Sequence, residues 1–322
     1  MSSDDVTVII AAFNARATIA SAIGSALAEG EVGEVIVVDD CSTDDTVQTA
    51  REAANGDPRL RILRQEANGG PAAARNRAID EATRPFLAIL DSDDKFLPGR
   101  FARLFAGGGW DLCADNIVFS TNRQAFDEMS GDPAGGGRVA QIDLAAFLAG
   151  NRNTGKVQRA ELGFLKPVMR REFLDRCGLR YATRCRLGED FILYAKALAA
   201  GARFHVHEAC GYAAFERPDS LSGQHTADDL RSYLAELDAM EPVIPSDAQT
   251  PYRELRQSMR DKIAHRDVLN IRNERGLLHG LSAMARHPTT LRDIVRDKLA
   301  GAKPDFDRRL LLTPQAFDGL IA

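Results

Sequence analysis

An α/β fold with a C-terminal helical extension is predicted by three features of the sequence. Short β-branched runs alternate with helix-like segments over the first 120 residues. Acidic residues gather where those runs end, and after about residue 225 only helical patterns remain. Two units follow from this, an α/β domain over 1–225 and a helical extension over 226–322.

The elements can be taken in order. Segments 6–13 (VTVIIAAF) and 34–40 (EVIVVDD) are continuous apolar runs closed by polar residues, the pattern of buried parallel strands. Between them, 18–30 places Ile19, Ala22, Ile23, Ala26 and Leu27 on one helical face, with Gly30 as the stop. Segment 43–54 opens with acids in its first turn, capped by Ser42 or Thr43. A third strand, 60–63, leads to a helix over 71–82 that begins with Pro71, where the missing N–H costs nothing. A fourth strand, 86–90, ends in the acidic cluster Asp91, Asp93 and Asp94. Alternation with short links predicts a parallel sheet with right-handed crossovers, whose ligands bind outside the carboxyl ends of the strands. Asp39, Asp40 and the 91–94 cluster all fall on that edge. Further on, 111–120 reads as a strand, 142–150 as a short helix, 165–178 as a strand turning into a helix, and 188–207 as a helix followed by a strand.

Composition narrows the function. The chain has 322 residues, ample for a full core, and a net charge of −5 that argues against nucleic acid as a partner. The charge is uneven: Arg253 to Lys303 holds 12 basic and 6 acidic residues, against 29 and 40 in the rest. Such a tail suits peripheral contact with an anionic membrane face, although a solvated appendage or a homo-oligomer interface explains it equally well. Five scattered cysteines without a CxxC pair fit reduced thiols in a cytoplasm. The start lacks a signal-peptide pattern, and no apolar run reaches membrane-spanning length.

Several stretches have chemical potential. D-S-D spacing puts Asp91 and Asp93 on one side of an extended chain, about 7 Å apart, where hard oxygens could hold Mg²⁺ or Mn²⁺ beside a polyphosphate. A solvated acidic turn accounts for the same triplet. A carboxylate at Asp39 or Asp40 could accept from a ribose or a base N–H. The turn at 67–76 (ANGGPAAARN) runs into a helix N-terminus that could face a phosphate, with Arg75 one turn in. It matches neither GxGxxG nor GxxxxGK[ST]. Glu189 and Asp190 start a helix, either as acids complementing its dipole or as a general base. His205 and His207 share a strand face without a third metal ligand at a suitable spacing, so packing explains them. No GxSxG occurs and no cysteine has an evident partner, which leaves covalent catalysis unsupported.

Together, VTVIIAAFN, EVIVVDDCSTDDT, NGGPAAARNRAI, LAILDSDDKFLP and GEDFILYAKAL resemble, in order and spacing over roughly 5–220, the family 2 glycosyltransferases. The segment GFLKPVMRREFLDRCGLRYATRCRLGEDFILYAKALAAGARF is similar to their bacterial exopolysaccharide branch, of the succinoglycan glucosyltransferase type. The resemblance implies a GT-A fold, the Rossmann-like fold of nucleotide-diphospho-sugar transferases. It also implies a UDP- or other NDP-sugar donor, Mn²⁺ or Mg²⁺, and inverting transfer to a saccharide or lipid-linked acceptor. It assigns Phe13 to packing near the base, Asp40 with Asp39 to the uracil, and Arg75 to the donor. Asp91 falls to the ribose and metal, Asp93 to direct metal ligation, Asp190 to the catalytic base, and Glu189 to the shape of the site. Asn14, Asn68, Gly69 and Ser92 lie within the matching motifs, and the resemblance implies that they bind substrate. Two departures stand out: AAFN lacks the Pro frequent before the aromatic position, and YAAFERPDSLSG replaces a Tyr-Arg-x-His stretch, leaving Arg217 and Ser222 for the diphosphate. A sugar-1-phosphate nucleotidyltransferase would share the metal edge but normally has a Gly-rich, basic loop after the first strand, which AAFNARAT is not. A non-catalytic nucleotide-sugar-binding module is the third reading.

Overall fold

The computed structural model describes residues 5–131, 135–151, 161–216, 226–276, 279 and 306–321. Strand β1 (Val6–Ala12) lies at the centre of the first half because every residue but Ala11 is buried, so it can tolerate neighbours on both sides. It pairs in parallel with β2 (Val32–Asp39) and β4 (Phe86–Ile89), and β2 pairs in parallel with β3 (Leu60–Arg64). The crossovers are α1 (Ile19–Leu27), α2 (Thr46–Ala54) and α3 (Gly70–Glu81), as the periodicity predicts. Helix α2 starts later than expected. Asp44 accepts from the amides of Arg16 and Thr46, and the Ser42 hydroxyl accepts from Asn14 N–H instead of capping the helix.

Beyond β4 the regular alternation stops, and the sheet is mixed, not parallel throughout as the sequence suggests. Here β5 (Lys95–Phe96), β6 (Leu112–Ser120), β7 (Val139–Ile142), β8 (Val168–Arg170) and β9 (Phe204–Phe215) complete the main order 3-2-1-4-8-6-9-5, with β7 on β9. Strand β8 is antiparallel to both β4 and β6, while β9 runs parallel to β6 and antiparallel to β5 and β7. An apolar run encodes burial but not direction, and direction is set by the pairing partner.

The helices α4 (Arg100–Phe105), α5 (Arg123–Asp127), α6 (Leu144–Gly150), α7 (Arg171–Arg176) and α8 (Glu189–Ala199) surround this half. In the extension, α9 (Ala227–Ala239) opens with a reciprocal capping box between Thr226 and Asp229. It packs on α8, and α10 (Gln249–Arg275) packs on α9 and α6, burying Tyr252, Leu255 and Met259. The expectation of helix alone after residue 225 fails at β10 (Arg309–Leu310), which pairs antiparallel with β6, before α11 (Pro314–Ile321). Two residues cannot display a period, so this strand is invisible until the Asn116 side chain is seen bonded to both backbone groups of Leu312. No described helix is long and apolar enough to cross a membrane.

Candidate active site

The carboxyl ends of β1, β2 and β4 share one edge because the strands are parallel. Phe13, just past β1, is 51% exposed there. Asn14 adopts a left-handed φ of 49° and accepts from the amide and hydroxyl of Thr43, tying the ends of β1 and β2 together.

Asp39 and Asp40 are both buried at the end of β2 but are used differently. Asp40 accepts from the backbone amides of Gly69 and Gly70 at 2.8 Å and from Gln65 at 2.5 Å, and its own carbonyl accepts from Asn68 Nδ2. Its carboxylate therefore fastens the Gly-rich turn at the start of α3, as an acid at a helix N-terminus should. Asp39 accepts the Ser42 amide through Oδ1, while Oδ2 faces the guanidinium of Arg64 at 3.2 Å. Arg64 is two-thirds exposed, so a ligand approaching Asp39 from solvent meets it first.

Five charged groups converge next to this edge. Arg75, on α3, contacts Asp91 at 2.7 Å, Glu189 at 2.8 Å and Asp190 at 3.3 Å, and lies 5.3 Å from the centre of the Tyr181 ring. Lys166 contacts Asp190 at 2.6 Å and Asp91 at 3.0 Å. Thus the structure brings together four predicted site residues from three separate segments. It also adds Lys166, which the motif reading missed. The ion pairs decide the charge states. Burial alone would raise the Asp91 carboxyl, but Lys166 and Arg75 hold it well below the usual carboxylate range. Burial would strip Lys166 of its proton, yet Asp190 and Asp91 outweigh it and push the ammonium upward. Glu189 is raised by burial despite Arg75. The Tyr181 and Tyr194 phenols are raised far above their ordinary range by burial and by nearby Asp190.

Glu189 and Asp190 reach the cluster because α8 starts there. Gly188 turns the chain at φ 71°, and a Cβ on it would meet the Tyr233 ring at 2.2 Å, so neither the conformation nor the space admits a side chain.

In the acidic turn, Asp93 and Ser92 are half-buried, whereas Asp94 is 7% exposed. The sequence gives Asp94 no role beyond starting the turn; in the structure it accepts from the Tyr212 hydroxyl at 2.7 Å and the Phe215 amide at 3.0 Å. Burial, then Asp93 and Asp91, raise its carboxyl well above the ordinary range. The neighbouring carboxylates thus act on Asp94 in the opposite sense to the cations that act on Asp91. Among the described residues no group of three or more His, Cys, Asp or Glu could cage a metal, so most of a cation's shell would have to come from ligand oxygens and water. Both Asp91 oxygens face cations, Oδ1 Arg75 at 2.7 Å and Oδ2 Lys166 at 3.0 Å. Arg217 and Ser222 lie outside the described residues.

A sequence model described as "Glycosyl transferase family 2" matches residues 7–107. The succinoglycan biosynthesis protein ExoU of Rhizobium meliloti (strain 1021) is 45% identical over 304 residues, covering 92% of this chain and 87% of that protein. ExoO of the same organism, also described as a succinoglycan biosynthesis protein, is 36% identical over 281 residues, 85% of this chain and 76% of that protein. Among solved structures, S. aureus TarS residues 1–349 in complex with UDP-GlcNAc superposes with a TM-score of 0.61. It has 18% identity and covers 89% of this chain and 81% of that one, a likeness of fold.

Proposed function

The chain belongs to glycosyl transferase family 2 and is a glycosyltransferase; from that premise we propose that it transfers a sugar from a UDP-sugar, or another NDP-sugar, to a hydroxyl of a saccharide or lipid-linked saccharide during polysaccharide synthesis. The observation behind this reading is the meeting of Arg75, Asp91, Glu189 and Asp190 within 3.3 Å at the strand edge, beside the acidic turn. The donor class is supported by the UDP-GlcNAc complex of a protein of the same fold, and the pathway class by the descriptions of ExoU and ExoO.

In this mechanism the base of the nucleotide packs near Phe13 and its N–H is accepted at Asp39 instead of at Asp40, the residue the resemblance implies, because the Asp40 carboxylate is engaged by Gln65 and the Gly69–Gly70 turn. Asp190 accepts the proton of the acceptor hydroxyl as that oxygen attacks the anomeric carbon and the bond to the diphosphate breaks, general-base help worth roughly 10²–10⁴ in rate. With one base and no enzyme nucleophile, a single displacement inverts the anomeric centre. Asp93, with Asp91 nearby, would hold Mn²⁺ or Mg²⁺, which when bound neutralises charge on the departing diphosphate. We place the reaction in the cytoplasm, with exposed Arg253, Arg260, Arg272 and Arg275 of α10 available to anionic lipid headgroups.

The test is turnover of a panel of NDP-sugars, headed by UDP-glucose and UDP-GlcNAc, with a membrane extract as acceptor, comparing wild type with Asp190→Asn. Wild type should release UDP and label the acceptor, whereas the variant should bind UDP with Mn²⁺ normally and transfer nothing. A fully active Asp190→Asn would remove the base from the proposal.

A further inference from the structure

Lys166 is the one member of the charged cluster to which the resemblance assigns no role, although it lies within the matching segment that begins at Gly163, and its surroundings are unusually well built. It is 7% exposed, and an ammonium so buried is stable only with close counter-charges. Its position is fixed through the backbone: the Lys166 carbonyl accepts from Arg100 Nη2 at 2.5 Å. Arg100 is itself fully buried, bonded to Asp115 at 2.9 Å and flanked by the rings of Phe96, Phe101 and Tyr212. With the backbone fixed in this way, burial and the contacts of Nζ to Asp190 at 2.6 Å and Asp91 at 3.0 Å hold the tip of the side chain, which is what a group that must hold another in place requires.

The two oxygens of Asp190 are held unequally. Oδ2 receives Lys166 Nζ at 2.6 Å, whereas Oδ1 faces Arg75 at 3.3 Å. The short contact fixes the carboxylate plane, and the long one leaves Oδ1 the more available proton acceptor. Lys166 also touches Asp91 at 3.0 Å, so the same ammonium sets the distance between the base and the acidic turn.

We propose that Lys166 is a positioning residue for sugar transfer, clamping Oδ2 of Asp190 so that Oδ1 takes the proton of the acceptor hydroxyl while the acceptor oxygen bonds to the anomeric carbon and the diphosphate leaves. This rests on the reading of Asp190 as the base given above. Lys166 forms no bond to substrate and undergoes no change of its own.

The experiment compares wild type, Lys166→Met and Lys166→Arg with UDP-glucose, or whichever donor of the panel wild type uses, measuring kcat, donor KM, UDP affinity in Mn²⁺ and thermal midpoint. Lys166→Met should lower kcat by about 10²-fold with UDP affinity changed less than about threefold, because orientation of the base and not donor binding is lost. Lys166→Arg, which restores a cation at that point, should recover part of kcat. The proposal is overturned if Lys166→Met keeps wild-type kcat. It is equally overturned if kcat, UDP affinity and thermal midpoint fall together in Lys166→Met while Lys166→Arg matches wild type in all three, for then the side chain only supports the fold. A wild type that transfers from no donor defeats the functional reading instead, so the two failures are told apart.

Discussion

The hydroxyl of Tyr212 donates to a carboxylate oxygen of Asp94 across 2.7 Å. Tyr212 lies on β9, and its oxygen also accepts the amide of Asp91 at 3.1 Å, so one phenol spans the acidic turn from first residue to last. Tyr212→Phe keeps the ring and removes both contacts, leaving a buried carboxyl and an amide short of a partner. Stability should fall by about 1–3 kcal/mol in denaturant titrations, with weaker binding of UDP in Mn²⁺ by calorimetry. A variant unchanged in both would show that the turn holds its shape without β9.

Gly188 presents Glu189 and Asp190 to the site from a left-handed φ of 71° against the Tyr233 ring. Gly188→Ala should destabilise the protein by more than about 1 kcal/mol and reduce turnover, because a Cβ adds strain and forces the start of α8 away. Adding Tyr233→Ala relieves the clash but not the backbone strain, so rescue should be partial. Full rescue of the thermal midpoint would mean that the ring contact alone mattered.

Phe317 on α11 is fully buried although it stands near the end of the chain. Phe317→Ala should cost about 3–5 kcal/mol if the segment around β10 and α11 belongs to the cooperative core. Urea unfolding followed by both circular dichroism and tryptophan fluorescence measures this. A loss below about 1 kcal/mol would show that α11 is an appendage.

Glu34, far from the site, accepts from Thr7 at 2.6 Å and Thr83 at 2.9 Å and pairs with Arg61 at 2.7 Å. Burial acts to raise its carboxyl, but these hydrogen bonds and Arg61 bring it below its ordinary value of 4.5. A depressed folded value means that the stabilisation is present above about pH 4.5 and is lost as pH falls through the folded value. Wild type should therefore lose more stability than Glu34→Gln between about pH 5 and pH 3 in thermal melts. Parallel curves for the two proteins would contradict this.

Much of the first half of the fold was written locally. The runs at 6–13, 34–40 and 86–90 are buried strands because their residues are apolar on both faces, and parallel pairing then places Phe13, Asp39, Asp40 and Asp91 on one edge. The base candidate Asp190 and its partner Arg75 were also recognisable, each lying in a motif with a fixed place in the family pattern. Asp94 was not, since three nearby carboxylates look alike in sequence and only contact with Tyr212 and Phe215, more than a hundred residues away, separates their roles.

Lys166 marks the same boundary most clearly. The sequence determined that a strand follows it, and in a parallel sheet the residue ahead of a strand lies at the amino edge, away from the site. Because β8 runs antiparallel to β4, with Ala88 opposite Val168, the start of β8 falls beside the carboxyl end of β4 and the lysine arrives between Asp91 and Asp190. Burial is a property of the residues in a segment, so the sequence determined it; strand direction depends on which distant segment pairs with it, and only the tertiary structure decided that.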